Sequence, residues 1–263
     1  MKLRATFLGT GTSQGVPVIG CSCNVCLSKN SKDKRLRSAL LLQSEKTTVV
    51  IDSGPDFRYQ MLRAGVKKLD AVVLTHEHKD HIAGLDDIRA FNYHSNKPMK
   101  VYATHRVQEA LRREFSYVFE DNPYPGIPRI DLMTITNEEF IIGDIPFLPI
   151  EVMHYLLPVL GFRIGSFCYI TDAKTIARDE LEKCFGVQTL VLNALRKEKH
   201  ISHFTLDEAI HIARKTGASS TYFTHISHQL GLHNQTQTEL PQGFQLAYDQ
   251  LCFEFVIPGQ QTI

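Results

Sequence analysis

The stretch 75–84, "THEHKDHIAG", places three histidines and one aspartate within six positions, directly after the apolar run "LDAVVL". Alternate residues of an extended segment point the same way, so His76 and His78 can bind one metal ion. The turn into the following helical segment then presents Asp80 and His81 to a second ion nearby. Imidazole and carboxylate ligands suit zinc, manganese or iron, and the pattern alone does not choose among them.

Further acidic and imidazole side chains stand at the C-terminal ends of separate β-rich runs. Together with the first histidine of the motif they are Asp52, His76, His154, Asp172 and His225. Helical segments are mixed with these runs along the whole chain, which predicts an α/β fold in a single layered domain over residues 1–263. Because sites in α/β proteins form at the carboxyl ends of strands, we expect the five side chains to meet at one sheet edge.

A second group of metal-binding residue types is the cluster Cys21, Cys23 and Cys26 in "CSCNVC". In a cytoplasmic chain a tight cysteine cluster binds metal more often than it forms disulfides. No fourth ligand is evident nearby, and a reactive thiol cluster or a surface loop without metal remain alternatives. The other three cysteines lie among apolar neighbours and are expected to pack as small hydrophobic residues; they are Cys168, Cys184 and Cys252.

Bulk properties restrict the partners. The 263 residues include 29 Lys and Arg against 28 Asp and Glu. This near-neutral balance argues against a nucleic-acid partner without excluding one. No apolar run approaches the ~20 residues of a membrane span. The first residues reach glycine and polar side chains too soon for a secretory signal, so we expect a cytoplasmic protein without a membrane partner.

The H-x-H-x-D-H motif resembles the signature of the metallo-β-lactamase superfamily. The resemblance implies a four-layer αββα sandwich, classed as α/β or in some schemes α+β, with one or two metal ions along one edge. It also implies a ligand set. One ion would be held by His76, His78 and His154, the other by Asp80, His81 and His225, with Asp172 bridging them. Asp52 is similar to the buried aspartate that braces the histidine loop in this family.

The N-terminal sequence "FLGTGTSQGVPVIGCSCNVC" is similar to the opening of the PhnP-type cyclic-phosphate phosphodiesterases of the carbon–phosphorus lyase pathway. That resemblance implies hydrolysis of a small cyclic phosphate, such as 5-phosphoribosyl 1,2-cyclic phosphate or a 2′,3′-cyclic nucleotide. Two divalent ions, manganese or zinc with iron as a further choice, would serve the reaction. A structural zinc would be held by Cys21, Cys23, Cys26 and His228. Members of this family often dimerise, so a homodimer is among the expectations.

The segment "LRKEKHISHFTLDEAIHIARKTGA" is similar to a family stretch in which a histidine stands beside the metal ions. His203, which lies against the start of the "TLDEA" helix, is the first choice for that residue, and His200 competes with it. It would donate a proton to the leaving oxygen or hydrogen-bond the phosphate. With Asp80 and Asp172 it completes the predicted catalytic group. The loop "GTGTSQG" can line a phosphate pocket or be a structural turn.

Other functions remain open. A tRNA 3′-processing endonuclease shares much of the motif set, although no long Gly/Lys-rich insertion stands between the ligands. A lactone or thioester hydrolase of the same superfamily is a second alternative, because the fold does not determine the substrate. A metal-sensing or scaffold protein without turnover is a third, and the complete ligand set argues against it.

Overall fold

The computed structural model describes residues 1–121 and 124–257. Strands and helices alternate along these residues. The strands are β1 Lys2–Gly9, β2 Ala39–Gln43, β3 Thr48–Ile51, β4 Ala71–Val73, β5 Met99–Ala103, β6 Ile130–Thr134, β7 Phe140–Ile142, β8 Ile145–His154, β9 Leu157–Ile164, β10 Phe167–Tyr169, β11 Thr175–Ile176, β12 Thr189–Asn193, β13 Ser220–Thr224, β14 Phe244–Leu246 and β15 Cys252–Val256. The helices are α1 Asn24–Leu27, α2 Phe57–Arg63, α3 Lys79–Ile82, α4 Arg89–Ser95, α5 His105–Glu114, α6 Arg178–Glu182, α7 Leu206–Thr216 and α8 His233–Glu239.

The strands form two mixed sheets. The first has the order β15-β1-β2-β3-β4-β5-β6, with parallel pairing from β3 to β6. The second has the order β11-β8-β9-β10-β12-β13-β14, with β7 paired to β8 and parallel pairing from β10 to β14. Parallel strands end at the same edge of their sheet. The carboxyl ends of β3 and β4 therefore lie together in the first sheet, and those of β12 and β13 lie together in the second.

The sheets pack face to face, and each carries helices on its outer face. Phe7 of the first sheet and Phe162 of the second belong to one buried cluster between the sheets. Phe57 of α2 packs on the outer face of the first sheet, and Ala209 of α7 packs on the second. Since both faces of β2 are covered, its "ALLL" run is buried throughout. The four-layer αββα architecture predicted from the motif is confirmed.

Two segments differ from the local sequence pattern. The run 81–91, "HIAGLDDIRAF", has helical periodicity, but the structure divides it between the end of α3, a 3₁₀ segment Leu85–Ile88 and the start of α4. Gly84 marks the break, because a Cβ there would lie 2.1 Å from the Gly54 carbonyl oxygen. The predicted loop 120–132 ends in β6, and its residues 122 and 123 lie outside the described part.

The helices are short. The longest described here, α7, has 11 residues. Across residues 1–121 and 124–257, none combines the length and apolar character that a membrane crossing requires.

Three of the five strand-end residues adopt a left-handed backbone, which is uncommon for residues other than glycine. Asp52 follows β3 directly with φ of 66°, and His225 follows β13 directly with φ of 54°. Asp172, three residues beyond β10, has φ of 58°. Strain of about 1–3 kcal/mol for each such residue persists only where the surrounding structure fixes it, and such residues cluster at functional sites.

The chain after Asp52 packs tightly against the histidine loop. The Ser53 amide donates to the His81 carbonyl oxygen at 2.8 Å, and the Gly84 amide donates to the Ser53 carbonyl oxygen at 2.8 Å. A Cβ on Gly54 would lie 2.0 Å from the Asp80 carbonyl oxygen. The glycine therefore sets how closely the loop carrying Asp80 and His81 approaches the end of β3.

We expect Gly54→Ala to displace the Asp80–His81 backbone, because the methyl group has no space. The free energy of unfolding should fall by about 1–3 kcal/mol, and metal affinity should fall with it. Denaturant unfolding and metal titration would measure both effects. Gly217→Ala is the matched control, since its Cβ would meet no atom within 4 Å and only its φ of +71° opposes alanine. Wild-type metal affinity in Gly54→Ala would contradict the role given to this close approach.

Candidate active site and cysteine cluster

Asp52 orients His81 from beneath the site. The fully buried Asp52 carboxylate accepts hydrogen bonds from the Thr75 amide at 2.9 Å and from His81 Nδ1–H at 2.7 Å. Burial raises the pKa of Asp52, although His81 and Thr75 oppose that shift. With Nδ1 bonded to Asp52, His81 directs Nε2 into the site. Asp52 thus contacts the site through His81 and fixes the orientation of that ring.

Four side chains converge above Asp52. Potential ligand atoms of Asp80, His81, Asp172 and His225 all lie within 4.8 Å of one another. His81 Nε2 is 3.1 Å from Asp80 Oδ2 and 3.3 Å from Asp172 Oδ2. His225 Nδ1 is 3.2 Å from the same Asp172 oxygen. The structure therefore brings together the four residues that the sequence assigned to the second ion and the bridge.

His76, His78 and His154 form an adjoining group of rings. Ring centroids are 4.7 Å apart for His76 and His78, and 5.2 Å apart for His78 and His154. His154 Nδ1–H donates to the Ser202 carbonyl oxygen at 2.8 Å, which leaves its Nε2 for the site. Potential ligand atoms of His154, Asp172 and His203 also lie within 4.8 Å of one another. Asp172 is common to both groups.

The electrostatics of the cluster favour a cation. Although burial alone would raise the pKa of Asp172, His225 and His81 hold it well below its usual range. Burial opposes protonation of His81, yet Asp80 and Asp172 raise its pKa well above its ordinary value. Two carboxylates in a buried pocket require compensating positive charge.

Histidine ring nitrogens without a hydrogen-bond partner indicate whether metal ions fit the site. Within the described residues, four buried ring nitrogens have no hydrogen-bond partner, although buried polar atoms are normally paired. They are His76 Nε2, His81 Nε2, His203 Nδ1 and His225 Nδ1. Imidazole nitrogens beside two carboxylates form a donor set that suits zinc, manganese or iron. The residues present therefore fit divalent metal ions.

His203 and His200 occupy different places. The His203 ring is 4.5 Å from that of His154 and 4.8 Å from that of His225. His203 is buried, and burial, with His225 as the next cause, lowers its pKa. The His200 ring lies 5.2 Å from His203, farther from the ligand group. Of the two candidates, His203 is therefore the one beside the potential metal ligands.

Sequence reasoning missed the hydroxyl groups that hold the outer nitrogens of the histidines. Thr12 Oγ1, in the "GTGTSQG" loop, lies 3.1 Å from His225 Nε2. Thr75 Oγ1 lies 3.0 Å from His76 Nδ1. Such partners fix ring orientation and tautomer. Thr75 directly precedes the motif and was visible as a candidate. Thr12 is separated from His225 by 213 residues, so no local signal connects the two.

The cysteine cluster meets His228 in three dimensions. The Sγ atoms of Cys21 and Cys23 lie 3.4 Å from His228 Nδ1, and that of Cys26 lies 3.6 Å from it. Tetrahedral zinc with ordinary Zn–S and Zn–N bonds separates sulfur from nitrogen by about 3.5 Å. A hydrogen bond from the Cys26 amide and contact with His228 lower the pKa of Cys23 to about 6, which favours the thiolate.

Two elements of the fold carry the cluster: helix α1 with the loop before it, and the 3₁₀ segment after β13. Cys23 caps the short helix α1, and its Sγ accepts a hydrogen bond from the Cys26 amide at 3.4 Å. Cys26 Sγ accepts a hydrogen bond from the Val18 amide at 3.4 Å. His228 begins the 3₁₀ segment His228–Leu230, which follows β13. All six cysteines of the chain are free thiols in the structure. Cys168 and Cys184 are buried as expected, but Cys252 is exposed, so the expectation that it packs as a small hydrophobic residue was wrong.

Comparison with known proteins agrees with this geometry. Residues 47–226 match the beta-lactamase superfamily domain. The crystal structure of a new diphosphatase from the PhnP family superposes with a TM-score of 0.91 and 41% sequence identity, covering 97% of this chain and 98% of that one. The Zn²⁺-bound PqqB of Methylobacterium extorquens has a TM-score of 0.77 at 16% identity, with 95% and 99% of the two chains covered, and shares the fold.

One relative is much longer than this chain. An octanoyltransferase from Porphyromonas gingivalis is 40% identical over 252 residues, which are 95% of this chain and 51% of that protein. The chain spans about half the length, or less, of the curated relatives it matches first. The family match, the full-length likeness to the diphosphatase structure and the ligand geometry lead to one conclusion. The chain belongs to the PhnP family of the metallo-β-lactamase superfamily.

Proposed function

We propose that this protein hydrolyses a small phosphoric diester with two divalent metal ions. The first substrates to consider are 5-phosphoribosyl 1,2-cyclic phosphate and the 2′,3′-cyclic nucleotides. The observation that carries the proposal is the position of Asp172, which belongs to both groups of potential ligands. A carboxylate shared in this way suits a bridge between two ions, and two-metal sites are typical of phosphoryl-transfer enzymes.

The ligand assignment follows the family resemblance, because the second group of potential ligands around Asp172 contains His154 and His203 but neither His76 nor His78. We assign His76, His78 and His154 to one ion. We assign Asp80, His81 and His225 to the other. When bound, the ions would supply Lewis acidity that lowers the pKa of water and neutralises charge on the phosphoryl oxygens. Manganese and zinc suit these ligands, and iron is a third choice.

The protein's own residues would position the substrate and move the proton. His203 stands within reach of both ligand groups, with Nδ1 3.8 Å from Asp172 Oδ1. From there its ring N–H would hydrogen-bond the phosphate. It would give a proton to the leaving oxygen only where the anionic substrate offsets the effect of burial, which lowers the pKa of His203. The bond from His154 to the Ser202 carbonyl oxygen holds the loop that carries His203 in place. Asp52, through His81, would keep the ligand geometry fixed before substrate arrives.

A second substrate class has a specific observation in its favour. The similar PhnP-family structure is called a diphosphatase. A diphosphate, like a cyclic phosphate, offers a phosphorus with a bridging oxygen that leaves after attack, so the same residues would serve both reactions. We therefore propose small diphosphate compounds as the second candidate.

The name octanoyltransferase belongs to a protein about twice as long as this chain, so it bears on the proposal only as a choice of test substrate. Octanoyl thioesters and lactones together represent the acyl alternative. The near-neutral charge, 29 basic against 28 acidic residues, gives little support to a tRNA substrate. We propose cytoplasmic activity, because thiols of the kind found here stay reduced in that compartment.

We further propose that Cys21, Cys23, Cys26 and His228 bind a structural zinc ion. Four ligands complete a closed tetrahedral site, which leaves no position for substrate. Such an ion would join the N-terminal loop to the segment after β13. Its role would be to support the fold around His225.

A substrate panel tests the reaction. With manganese- or zinc-loaded protein, we expect opening of a ribosyl or nucleoside cyclic phosphate, or cleavage of a small diphosphate. Ion chromatography would measure the products. Asp172→Ala should remove nearly all turnover, because both ligand groups lose their common member. Hydrolysis of octanoyl thioesters or pre-tRNA in preference to every small phosphate would contradict the proposal.

His203 and His200 provide a matched pair for the proton-donor role. We expect His203→Ala to lower kcat by ~10²–10⁴, with the bound metal content unchanged. His200→Ala removes the same kind of side chain from a position farther from the ligand group and should lower kcat much less. Equal effects of the two substitutions, or loss of metal from His203→Ala, would contradict the assigned role.

The structural zinc has its own test. Cys23→Ser should lose one zinc ion per chain and should unfold at a lower temperature, because structural zinc contributes folding free energy directly. Metal content by mass spectrometry and thermal unfolding would measure the two effects. Cys252→Ser, at an exposed cysteine outside the cluster, is the control. If Cys23→Ser retained the full zinc content, the four-ligand site would be wrong.

A further inference from the structure

The hairpin that follows His154 has an unexpected turn. Strands β8 and β9 pair as far as His154 and Leu157, so Tyr155 and Leu156 alone form the connection. Tyr155 has φ of 57°. Two-residue hairpin turns favour Asn-Gly, Asp-Gly or Gly at such positions, and a bulky residue with this backbone is a genuine outlier. The turn thus has a tyrosine at a position whose left-handed backbone favours glycine, asparagine or aspartate.

These turn residues are not used by the core. Tyr155 is 55% exposed and Leu156 is 75% exposed. Ile201, on the loop before His203, is 67% exposed. The hydrogen bond from His154 to the Ser202 carbonyl oxygen joins the turn to this loop. We call Tyr155, Leu156 and Ile201 the apolar rim, since each lies within two residues of a histidine of the site.

A lysine adjoins the apolar rim in sequence. Lys199, two residues before Ile201, is exposed. Arg196 holds this loop by donating to the Lys199 carbonyl oxygen at 2.9 Å. An exposed aromatic ring, two aliphatic side chains and a cation next to a phosphate-type site match a ligand that is both planar and anionic.

We propose that the apolar rim binds the nucleobase of a nucleotide whose phosphate lies at the metal site. The inference rests on the proposed phosphohydrolase function and deepens it, because it gives the substrate a base. Tyr155 would stack on the base, since aromatic side chains stack on bases of any sequence. Leu156 and Ile201 would cover the base edge. The presence of a tyrosine at a left-handed position is then explained by binding rather than by folding.

The test compares two ligands that differ by the base. Binding of AMP and of ribose 5-phosphate to the metal-loaded protein would be measured by calorimetry. We expect AMP to bind roughly 5- to 150-fold more tightly, which is the range of one base–aromatic stack. Tyr155→Asn should bring the ratio of the two dissociation constants close to one by weakening AMP alone. Tyr155→Phe should keep the ratio, because the ring remains.

Stability and position are controlled separately. Asparagine adopts the left-handed backbone readily, so Tyr155→Asn should unfold no more easily than wild type. Tyr59→Asn is the matched surface control, because Tyr59 is 56% exposed and lies on α2. It should leave the ratio unchanged.

The outcomes separate this inference from the proposed function. A wild-type ratio near one, with turnover of a base-free phosphate, would overturn the inference and leave the phosphohydrolase proposal standing. A high ratio that depends on Tyr155, without turnover of any phosphate, would support base binding and overturn the proposed reaction. Binding of octanoate that Tyr155→Asn abolishes, without preference for AMP, would show an acyl site and overturn the inference.

Discussion

Burial of the Asp172 carboxylate is the constraint on which the site depends. Asp172 is 2% exposed, and His81, His203 and His225 approach its two oxygens. A buried carboxylate without compensating charge is costly. The unpaired ring nitrogens around it supply lone pairs, which a cation needs. One balance of charge therefore accounts for both the histidine-rich surroundings and the fit to divalent ions.

The fold holds this carboxylate by bonds that local sequence does not reveal. Asn193, the last residue of β12, accepts a hydrogen bond from the Ala173 amide at 2.7 Å and donates to its carbonyl oxygen at 2.9 Å. These two hydrogen bonds fix Ala173, the residue that directly follows the left-handed Asp172. Thr171 Oγ1 donates to Asp172 Oδ2 at 2.6 Å from the preceding residue. The strain at Asp172 is thus held in place by neighbours on both sides and by a second strand.

Sequence reasoning predicted the fold and gathered most of the candidate residues, because these features depend on local patterns. Strand ends and the spacing from His76 to His81 are visible within a few residues. The choice of His203 over His200 depends on how the loop after β12 crosses His154, which local spacing does not specify. The break at Gly84 was missed because helical periodicity ignores the contact with Gly54. Contacts such as Thr12 with His225 require the sheet order, which a single sequence does not encode locally.

The two candidate metal centres share one short segment, and this links the fold to the chemistry. His225 and His228 stand three residues apart after β13, one in each centre. Between them, the Ile226 amide donates to the Thr10 carbonyl oxygen at 2.9 Å, and the Thr12 amide donates to the Ile226 carbonyl oxygen at 3.1 Å. The same N-terminal loop that contacts His225 through Thr12 continues into the cysteine cluster. The positions of His225 and of the cysteine cluster are therefore connected through one hydrogen-bonded segment of the fold.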